Sequence, residues 1–308
     1  MSIELITNIL AATVVAGTPL LIVALGELIC ERSGVLNLGQ EGMMLIGAVA
    51  GFIAVLTTGS LTIGVIAAMA AGVAMALLFA LMAVTLAANQ YAAGLALTIF
   101  GTGLSAFIGA GYVGKTIDGF TKLAIPGLSD IPVLGPVLFN QDLLVYVSLG
   151  LFVAVYVFLR HSRGGLLLRA VGESPDSANA NGLPVMLIRY LAVSFGGAMA
   201  GLAGAYLSLA YTPLWTEGMT AGRGWIALAL VVFATWRPER VLLGAYLFGV
   251  ASILHLVLQG FGWDSSTELL AMLPYVVTIV VLVLLSSNPT RTRLHTPLSL
   301  GQPYRPGR

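Results

Sequence analysis

The chain has 308 residues, of which 58% are hydrophobic and only 9% are charged, and its net charge is +1. A soluble domain carries roughly 25% charged residues, so the composition excludes a water-soluble fold and indicates a polytopic membrane protein. The near-neutral charge offers no basic field for nucleic acid. The single cysteine, Cys30, excludes an internal disulfide and a multi-thiolate metal site, and the three histidines are too scattered to suggest a metal cluster.

Hydropathy predicts an all-α fold with about nine membrane-spanning helices, or eight to ten, because crossing about 30 Å of hydrocarbon takes around 20 apolar residues. The predicted spans are 5–28, 36–57, 61–88, 91–113, 142–160, 186–210, 219–236, 241–260 and 269–287. The second, fourth and seventh are rich in glycine or polar residues, which is typical of broken helices or re-entrant pairs. A single transmembrane domain, 1–288, is therefore expected, and a cleavable signal peptide is not, because residues 1–10 lack a basic region.

The distribution of lysine and arginine predicts the orientation, because basic residues concentrate in cytoplasmic loops. One topology leaves only Lys115, Lys122 and Arg223 outside and places all other basic residues in the cytoplasm. This topology puts the C-terminus in the cytoplasm and makes the Pro- and Gly-rich segment 114–141 an external loop. The tail 289–308 is rich in proline and arginine and is predicted to be disordered.

The stretch ERSGVLNLGQEGMMLIGA, residues 31–48, places polar side chains inside an apolar run. A carboxylate at the centre of a membrane helix costs roughly 2.5–3.5 kcal/mol, so such groups tend to face a cavity, a partner or the interface. Asn37, Gln40 and Glu41 lie among three glycines, and this pattern suits unwound backbone beside a substrate route. Alternatively, acidic residues here reach water or pair with Arg32, and this interpretation applies most to Glu27 and Glu31.

Two further spans carry polar residues whose role stays open. Thr98 and Thr102 are four positions apart and share one helical face, where they either line a route or serve plain helix packing. Arg223 lies between two glycines at the external boundary, where it either faces the route or caps a helix end. GQEGMMLIGA and AGRGWIALAL follow the same small–polar–Gly–apolar order and enter from opposite faces in this topology, as an inverted repeat would.

The segment 162–185 is the one sizeable cytoplasmic connection between spans. LLLRAVGE is predicted to form a short helix that ends at Ser174, and Pro175 suits the first turn of a second helix. Asp176 would lie near that second N-terminus, and Gly182 suits its C-terminal cap. A compact pair of short helices is either an ordinary connector or a docking surface, and its ordered composition favours docking.

Three motifs together resemble the signature stretches of one family. They are ERSGVLNLGQEGMMLIGA, LRAVGESPDSANANGLPV and GRGWIALALVVFATWRPERVLLGAYLFG. The family is that of the integral-membrane permeases of ABC importers, which includes the ribose and branched-chain amino-acid permeases. The first motif is most similar to the nucleoside (simple sugar/nucleoside) branch and to the shorter of its two permeases. The resemblance runs from about Gly26 to Leu285, nearly the whole chain.

The resemblance implies a set of partners in a bacterial inner (plasma) membrane. The chain would form half of a permease heterodimer with a related, longer permease. A separate ATPase with two nucleotide-binding cassettes would lie beneath it, and a lipid-anchored or periplasmic binding protein would deliver the substrate. The chain itself contains no G-x-x-x-x-G-K-[ST] motif, so ATP and Mg would bind to the partner. This subunit is therefore expected to be no enzyme and to bind no cofactor or metal.

The resemblance also implies residue roles. The substrate pathway would include the first motif. Polar side chains of the fourth and seventh spans would extend it. The residues are Asn37, Gln40, Glu41, Gly42, Thr98, Thr102 and Arg223. The segment similar to coupling helices that seat on the ATPase contains Arg169, Ala170, Gly172, Glu173, Asp176, Ala178 and Gly182. Amides, hydroxyls and carboxylates suit a neutral polar solute such as a nucleoside or polyol. The resemblance to the nucleoside branch implies a nucleoside first and a simple sugar or polyol next.

Two other classes of protein compete with the importer. An ion- or proton-coupled secondary transporter or channel for small polar solutes would need no ATPase, and its intramembrane carboxylates would carry the coupling ions. A membrane enzyme would need a cluster of His, Asp or Cys at one membrane face, and the sequence shows none. The cytoplasmic segment 162–185 favours the importer, since neither alternative requires a docking surface there.

Overall fold

The computed structural model describes residues 3–260 and 296–305, together with the single positions 272, 276 and 280. Its helices are α1 (Ile3–Arg32), α2 (Gln40–Thr58), α3 (Leu61–Ala80), α4 (Gln90–Gly109), α5 (Leu134–Leu138), α6 (Leu143–His161), α7 (Arg163–Glu173), α8 (Pro175–Ala180), α9 (Val185–Tyr206), α10 (Arg223–Phe233) and α11 (Pro238–Gly260). Two three-residue strands, β1 (Lys122–Ala124) and β2 (Asn140–Asp142), pair antiparallel. The predicted ninth span, 269–287, lies outside the described residues except at the three single positions.

Six helices in the described part of the chain are long and apolar enough to cross a membrane. They are Ile3–Arg32, Gln40–Thr58, Leu61–Thr85, Gln90–Tyr112, Leu143–His161 and Val185–Tyr211. In these ranges a π-helical turn follows α3 and α9, and a 3-10 turn follows α4. They agree with the first six predicted spans, and α11 coincides with the eighth. The chain is thus a polytopic, mainly helical membrane protein, and the total of nine spans stays a prediction.

The seventh predicted span, 219–236, is not a full crossing. Its helix α10 has 11 residues, which at 1.5 Å per residue reach about 16 Å, roughly half of the hydrocarbon thickness. Gly222 before the helix and Thr235 and Trp236 after it have positive φ angles of 78°, 49° and 53°. Left-handed backbone on both sides interrupts the helical hydrogen bonds, so this span is broken at both ends.

The second and fourth predicted spans behave differently from each other. Within 36–57, the helix begins only at Gln40, and residues 33–39 are unwound, with Gly34 at φ 85°. The fourth span, 91–113, is one continuous helix, α4, which ends in a 3-10 turn at Ala110–Tyr112. The polar residues of α4 therefore do not break it, and the second and seventh spans carry the irregular backbone.

The centre of the protein is formed by α1, α2, α3 and α9, which cross at glycines. A Cβ atom added to Gly47 of α2 would lie only 2.5 Å from the Cα of Gly201 in α9. A Cβ added to Gly201 would in turn meet the backbone of α3, with the carbonyl of Ala68 as its nearest atom and the Cα of Met69 at 3.0 Å. Small residues allow three backbones to touch, which is how membrane helices associate without a hydrophobic driving force.

Large apolar side chains point away from this centre. Ile99 and Phe107 on α4 are 74% and 81% exposed, and Leu191 on α9 is 62% exposed. Exposed apolar faces of this kind suit contact with lipid or with a membrane partner. The predicted external loop, 114–141, contains β1 and α5, and α5 packs against α1.

Candidate functional site

The unwound segment 33–39 folds back along α1 and is held there by Glu27. The backbone N–H of Asn37 donates to Glu27 Oε1 at 3.0 Å, and the side-chain amide of Gln40 donates to Glu27 Oε2. Glu27 and Gln40 are fully buried. The interpretation that Glu27 reaches water at the interface is therefore wrong, because its carboxylate supplies the acceptors that this non-helical backbone needs inside the protein.

Glu31, one turn further along α1, is also fully buried and holds the end of α10. The indole N–H of Trp236 donates to Glu31 Oε2, and Arg32 donates to the Trp236 carbonyl through Nε at 3.2 Å and Nη2 at 2.7 Å. Glu31 thus does not extend to water either. The last turn of α1 therefore holds Trp236, which lies just after the end of the short helix α10.

Glu41 joins the two irregular regions. Its Oε1 accepts hydrogen bonds from the Thr220 hydroxyl and from the Gly222 N–H at 2.8 Å, and its Oε2 accepts from the Gly224 N–H at 2.6 Å. These donors surround the N-terminus of α10, where backbone N–H groups lack helical partners and the helix dipole favours negative charge. A carboxylate from the first turn of α2 therefore caps α10, which begins 182 positions later in the chain.

The helices α2 and α10 start at this junction and run in opposite directions. The end of α10 reaches the end of α1, since Trp236 contacts Glu31. In contrast, α2 runs away from that end alongside α9, with Gly47 against Gly201. The two stretches that share the small–polar–Gly–apolar pattern thus meet at their N-termini, and the inverted repeat itself stays a prediction.

The start of α2 also packs tightly on α4. A Cβ on Gly42 would lie 2.8 Å from the Leu97 carbonyl and 2.9 Å from Thr98 Cα. The Thr98 hydroxyl donates to the Leu38 carbonyl at 2.8 Å, and the Asn37 side-chain oxygen accepts from the backbone N–H of Gly39 at 2.9 Å. The first motif and Thr98 therefore lie together in a buried polar junction.

Two predicted pathway residues lie outside this junction. Thr102 is exposed on α4, and its hydroxyl donates within the helix to the Thr98 carbonyl at 2.9 Å. Arg223 donates to the carbonyls of Met219 at 3.3 Å and Thr220 at 3.1 Å, and its guanidinium lies 5.6 Å from the Tyr211 ring centre. Arg223 thus stabilises the loop before its own helix while remaining partly exposed.

Several residues of the junction could not be found from local sequence patterns. Thr220 and Trp236 bind carboxylates that are remote in the chain. Gln90, fully buried at the start of α4, accepts from the Leu36 N–H at 2.8 Å. A buried amide opening a membrane helix is a usable signal for such a role, because it must find hydrogen-bond partners.

The segment 162–185 forms the predicted pair of short helices, α7 and α8. The Ser174 hydroxyl accepts from the Ser177 N–H at 3.3 Å, Pro175 opens α8, and Gly182 has a φ of 79°. Two of the predicted coupling residues, Glu173 and Asp176, are exposed. The predicted helix boundary and the glycine cap are thus confirmed.

The other predicted coupling residues face the protein to different degrees. Gly172 is buried so closely against the end of α1 that an added Cβ would collide with the Arg32 carbonyl oxygen. Ala178 is 5% exposed, whereas Arg169 and Ala170 are partly buried. The helical pair therefore presents acidic residues outward and is anchored inward on α1.

Residues 9–282 match the family described as branched-chain amino acid transport system / permease component. The chain belongs to this permease family. The match confirms the resemblance carried by the three sequence motifs. The permease is accordingly a transport component rather than an enzyme, and a multi-pass plasma membrane protein.

Relatives of the permease align over nearly its full length. A Haloferax volcanii protein provisionally named a glucose ABC transporter permease is 44% identical, covering 96% of this chain and 97% of its own. The guanosine ABC transporter permease of Bacillus subtilis is 33% identical and covers 99% of both chains. The nucleoside ABC transporter permease of Lactococcus lactis is 31% identical over 90% of this chain and 91% of its own. The comparison with solved structures gives no match.

The C-terminal segment of the permease corrects one prediction. Disorder is expected for 289–308, yet the described residues 296–305 pack against the helical pair. Ser299 donates through its N–H at 3.0 Å and its hydroxyl at 2.7 Å to the Gly172 carbonyl, and it accepts from Arg189 Nη2 at 3.2 Å. Tyr304 is 6% exposed beside Ala178. Composition misses this order because the stabilising partners are distant in sequence.

Proposed function

We propose that the permease is the transmembrane subunit of an ATP-driven ABC importer and forms half of the translocation pathway for a nucleoside or simple sugar. Full-length similarity to permeases named for guanosine, nucleoside and glucose transport carries this proposal. All three named solutes are neutral and rich in hydroxyl groups. Hydroxyls, amides and single charged groups recognise such solutes without a strong electrostatic field.

For the substrate pathway, we propose a division of roles among the predicted residues. Thr102 and Arg223 would meet the solute, and their exposure at the surface of the protomer supports this role. Asn37, Gln40 and Glu41 are buried and shape the wall behind them through their hydrogen bonds. Gly42 and Thr98 hold that wall against α4.

For energy coupling, we propose that the ATPase docks on the exposed side of α7 and α8, with ATP and Mg bound by that partner. Motion of the pair would reach the membrane core through α1, because Gly172 packs on the Arg32 carbonyl. The adjacent residue, Glu31, holds the end of α10 through Trp236. The remaining proposed partners are a second, related permease and an external binding protein, with the C-terminus of this chain in the cytoplasm.

Reversing both exposed charges of the pair tests the docking. In the variant Glu173→Lys/Asp176→Lys, we expect ATPase recovery with the tagged permease to fall more than about tenfold, because like charges across an interface cost several kcal/mol. The matched control is Glu217→Lys/Asp118→Lys, two exposed acidic residues away from the pair. Equal recovery of the ATPase with both double variants would show that α7 and α8 are not the docking surface.

Uptake in cells that produce the permease together with its proposed partners tests the transport assignment. We expect labelled guanosine or glucose to accumulate only with an intact ATPase, and unlabelled nucleosides and sugars to compete for this uptake. Accumulation that persists without the ATPase and collapses with the proton gradient would instead support a secondary transporter. The carboxylates Glu27 and Glu41 would then be the coupling candidates.

A further inference from the structure

Four arginines from four different parts of the fold converge on one cavity. The cavity has a volume of about 250 Å³. Its arginines are Arg32 at the end of α1, Arg160 at the end of α6, Arg169 in α7 and Arg237 just before α11. Helix packing alone does not require arginines from distant parts of the chain to lie together, so this cluster is a candidate binding site.

The cavity keeps an excess of positive charge. Glu239 is the one carboxylate among the described residues that line it, and it pairs with Arg160 at 3.0 Å. Arg32 interacts electrostatically with Arg169 and Arg237, and also with Glu173 and Glu31. Mutual repulsion of guanidinium groups is relieved when an anion lies between them, and arginine binds phosphate through two parallel hydrogen bonds.

An apolar groove lies next to this basic cavity. Its volume is about 460 Å³, and side chains of α6, α7 and α9 line it above Ile29 of α1. The lining includes Leu151, Ala154, Phe158, Leu167, Ile188 and Leu191. Phe158, Leu167 and Leu191 are 37%, 38% and 62% exposed, so the groove opens to the surroundings of the helices.

The groove and the basic cavity are neighbours along three helices. In α1, Ile29 lines the groove and Arg32 the cavity; in α7, Leu168 and Arg169 do the same. In α6, Val155 lines the groove and Leu159 the cavity, one turn or about 5 Å further on. An elongated molecule with an apolar end and an anionic end would thus find both surfaces in one position.

We propose that this composite surface binds an anionic phospholipid from the membrane leaflet at the Arg32 end of α1. The phosphate of its headgroup would lie among the four arginines, and one acyl chain would fill the groove. Basic pockets between membrane helices are suited to anionic headgroups. A bound lipid would stabilise the position of α7, which contributes Arg169 to the cavity. This site does not depend on which solute the permease carries.

Lipid retention by the purified permease tests the site. The probe is phosphatidylglycerol added back to delipidated protein, followed by washing in phosphatidylcholine micelles and mass spectrometry of the intact complex. We expect Arg160→Gln/Arg237→Gln to lower retention about 25-fold, since each arginine near an anionic lipid contributes about a fivefold factor. The control with equal charge loss is Arg163→Gln/Arg305→Gln, both exposed and outside the cavity.

A second variant tests the groove without changing charge. Ala154→Trp would fill the groove and is expected to lower retention as strongly, whereas Val153→Trp, at a neighbouring position that is 56% exposed and outside the groove, is expected to retain the lipid. Equal retention by both tryptophan variants, or equal loss in both arginine double variants, would overturn the proposal. Displacement of the lipid by inorganic phosphate, with no effect of Ala154→Trp, would reduce the site to a phosphate site. Phosphatidylcholine retained as well as phosphatidylglycerol by the unmodified permease would also contradict it.

Discussion

Glu41→Ala is expected to abolish folding of the permease or to release α10 from its place. The substitution leaves the Thr220 hydroxyl and the N–H groups of Gly222 and Gly224 without an acceptor inside the protein. Each buried donor left unpaired costs about 1–3 kcal/mol, which gives roughly 3–9 kcal/mol for three donors. Typical domain stabilities are roughly 5–15 kcal/mol, so the loss would remove much or all of the stability.

The measurement is the yield of monodisperse protein in mild detergent, followed by thermal unfolding and solute uptake. Glu41→Gln keeps one acceptor oxygen but turns an N–H₂ group toward the donors, so an intermediate loss of about 1–3 kcal/mol is expected. Glu217→Gln is the control, because Glu217 is exposed in the same loop. If Glu41→Ala folded normally and still transported, the cap on α10 would not be required.

Gly201→Val is expected to prevent the central helices from assembling. A Cβ at Gly201 would collide with the carbonyl of Ala68, and Gly47 already lies against Gly201 on the other side. Overpacking a core typically costs about 1–3 kcal/mol through side-chain shifts. Here the obstacle is backbone, so α3 itself would have to move, and the cost is expected to exceed that range.

Gly150→Val in α6 is the matched control, because no atom lies within 4 Å of its added Cβ. Both substitutions exchange glycine for the same residue inside a membrane-spanning helix, so helix propensity affects them alike. Thermal unfolding in detergent should therefore separate them, with a normal transition for Gly150→Val and aggregated or unfolded protein for Gly201→Val. Similar transitions for the two variants would contradict the close helix contact at Gly201.

Two contacts hold α2 in position. Glu41 joins its first turn to α10, and Gly201 of α9 packs against Gly47 in its middle. The helical pair α7 and α8 and the end of α10 both contact the last turn of α1. A displacement of α7 would therefore act on the helix whose Glu27 holds the unwound segment of the proposed pathway.

The sequence by itself determined the class of the protein, the first six spans, the irregular second and seventh spans and the two short helices α7 and α8. These features are local: a run of apolar residues must be long enough to cross the bilayer, and Ser174-Pro175 and Gly182 end and cap helices wherever they occur. The three motifs also identified the family, because their residues and their order along nearly the whole chain agree with it.

Only the tertiary structure decided what the buried polar residues bind. Glu41 lies in a polar, glycine-rich motif that predicts a pathway residue, yet it caps a helix that begins 182 positions later. Glu27 and Glu31 were open to an interfacial role, and they hold the unwound segment and Trp236 instead. The segment 296–305 is likewise held by a partner that is distant in the chain, because Ser299 binds the Gly172 carbonyl. A buried polar group is stabilised by whichever donor or acceptor the fold brings near it, and local sequence carries no record of that distant partner.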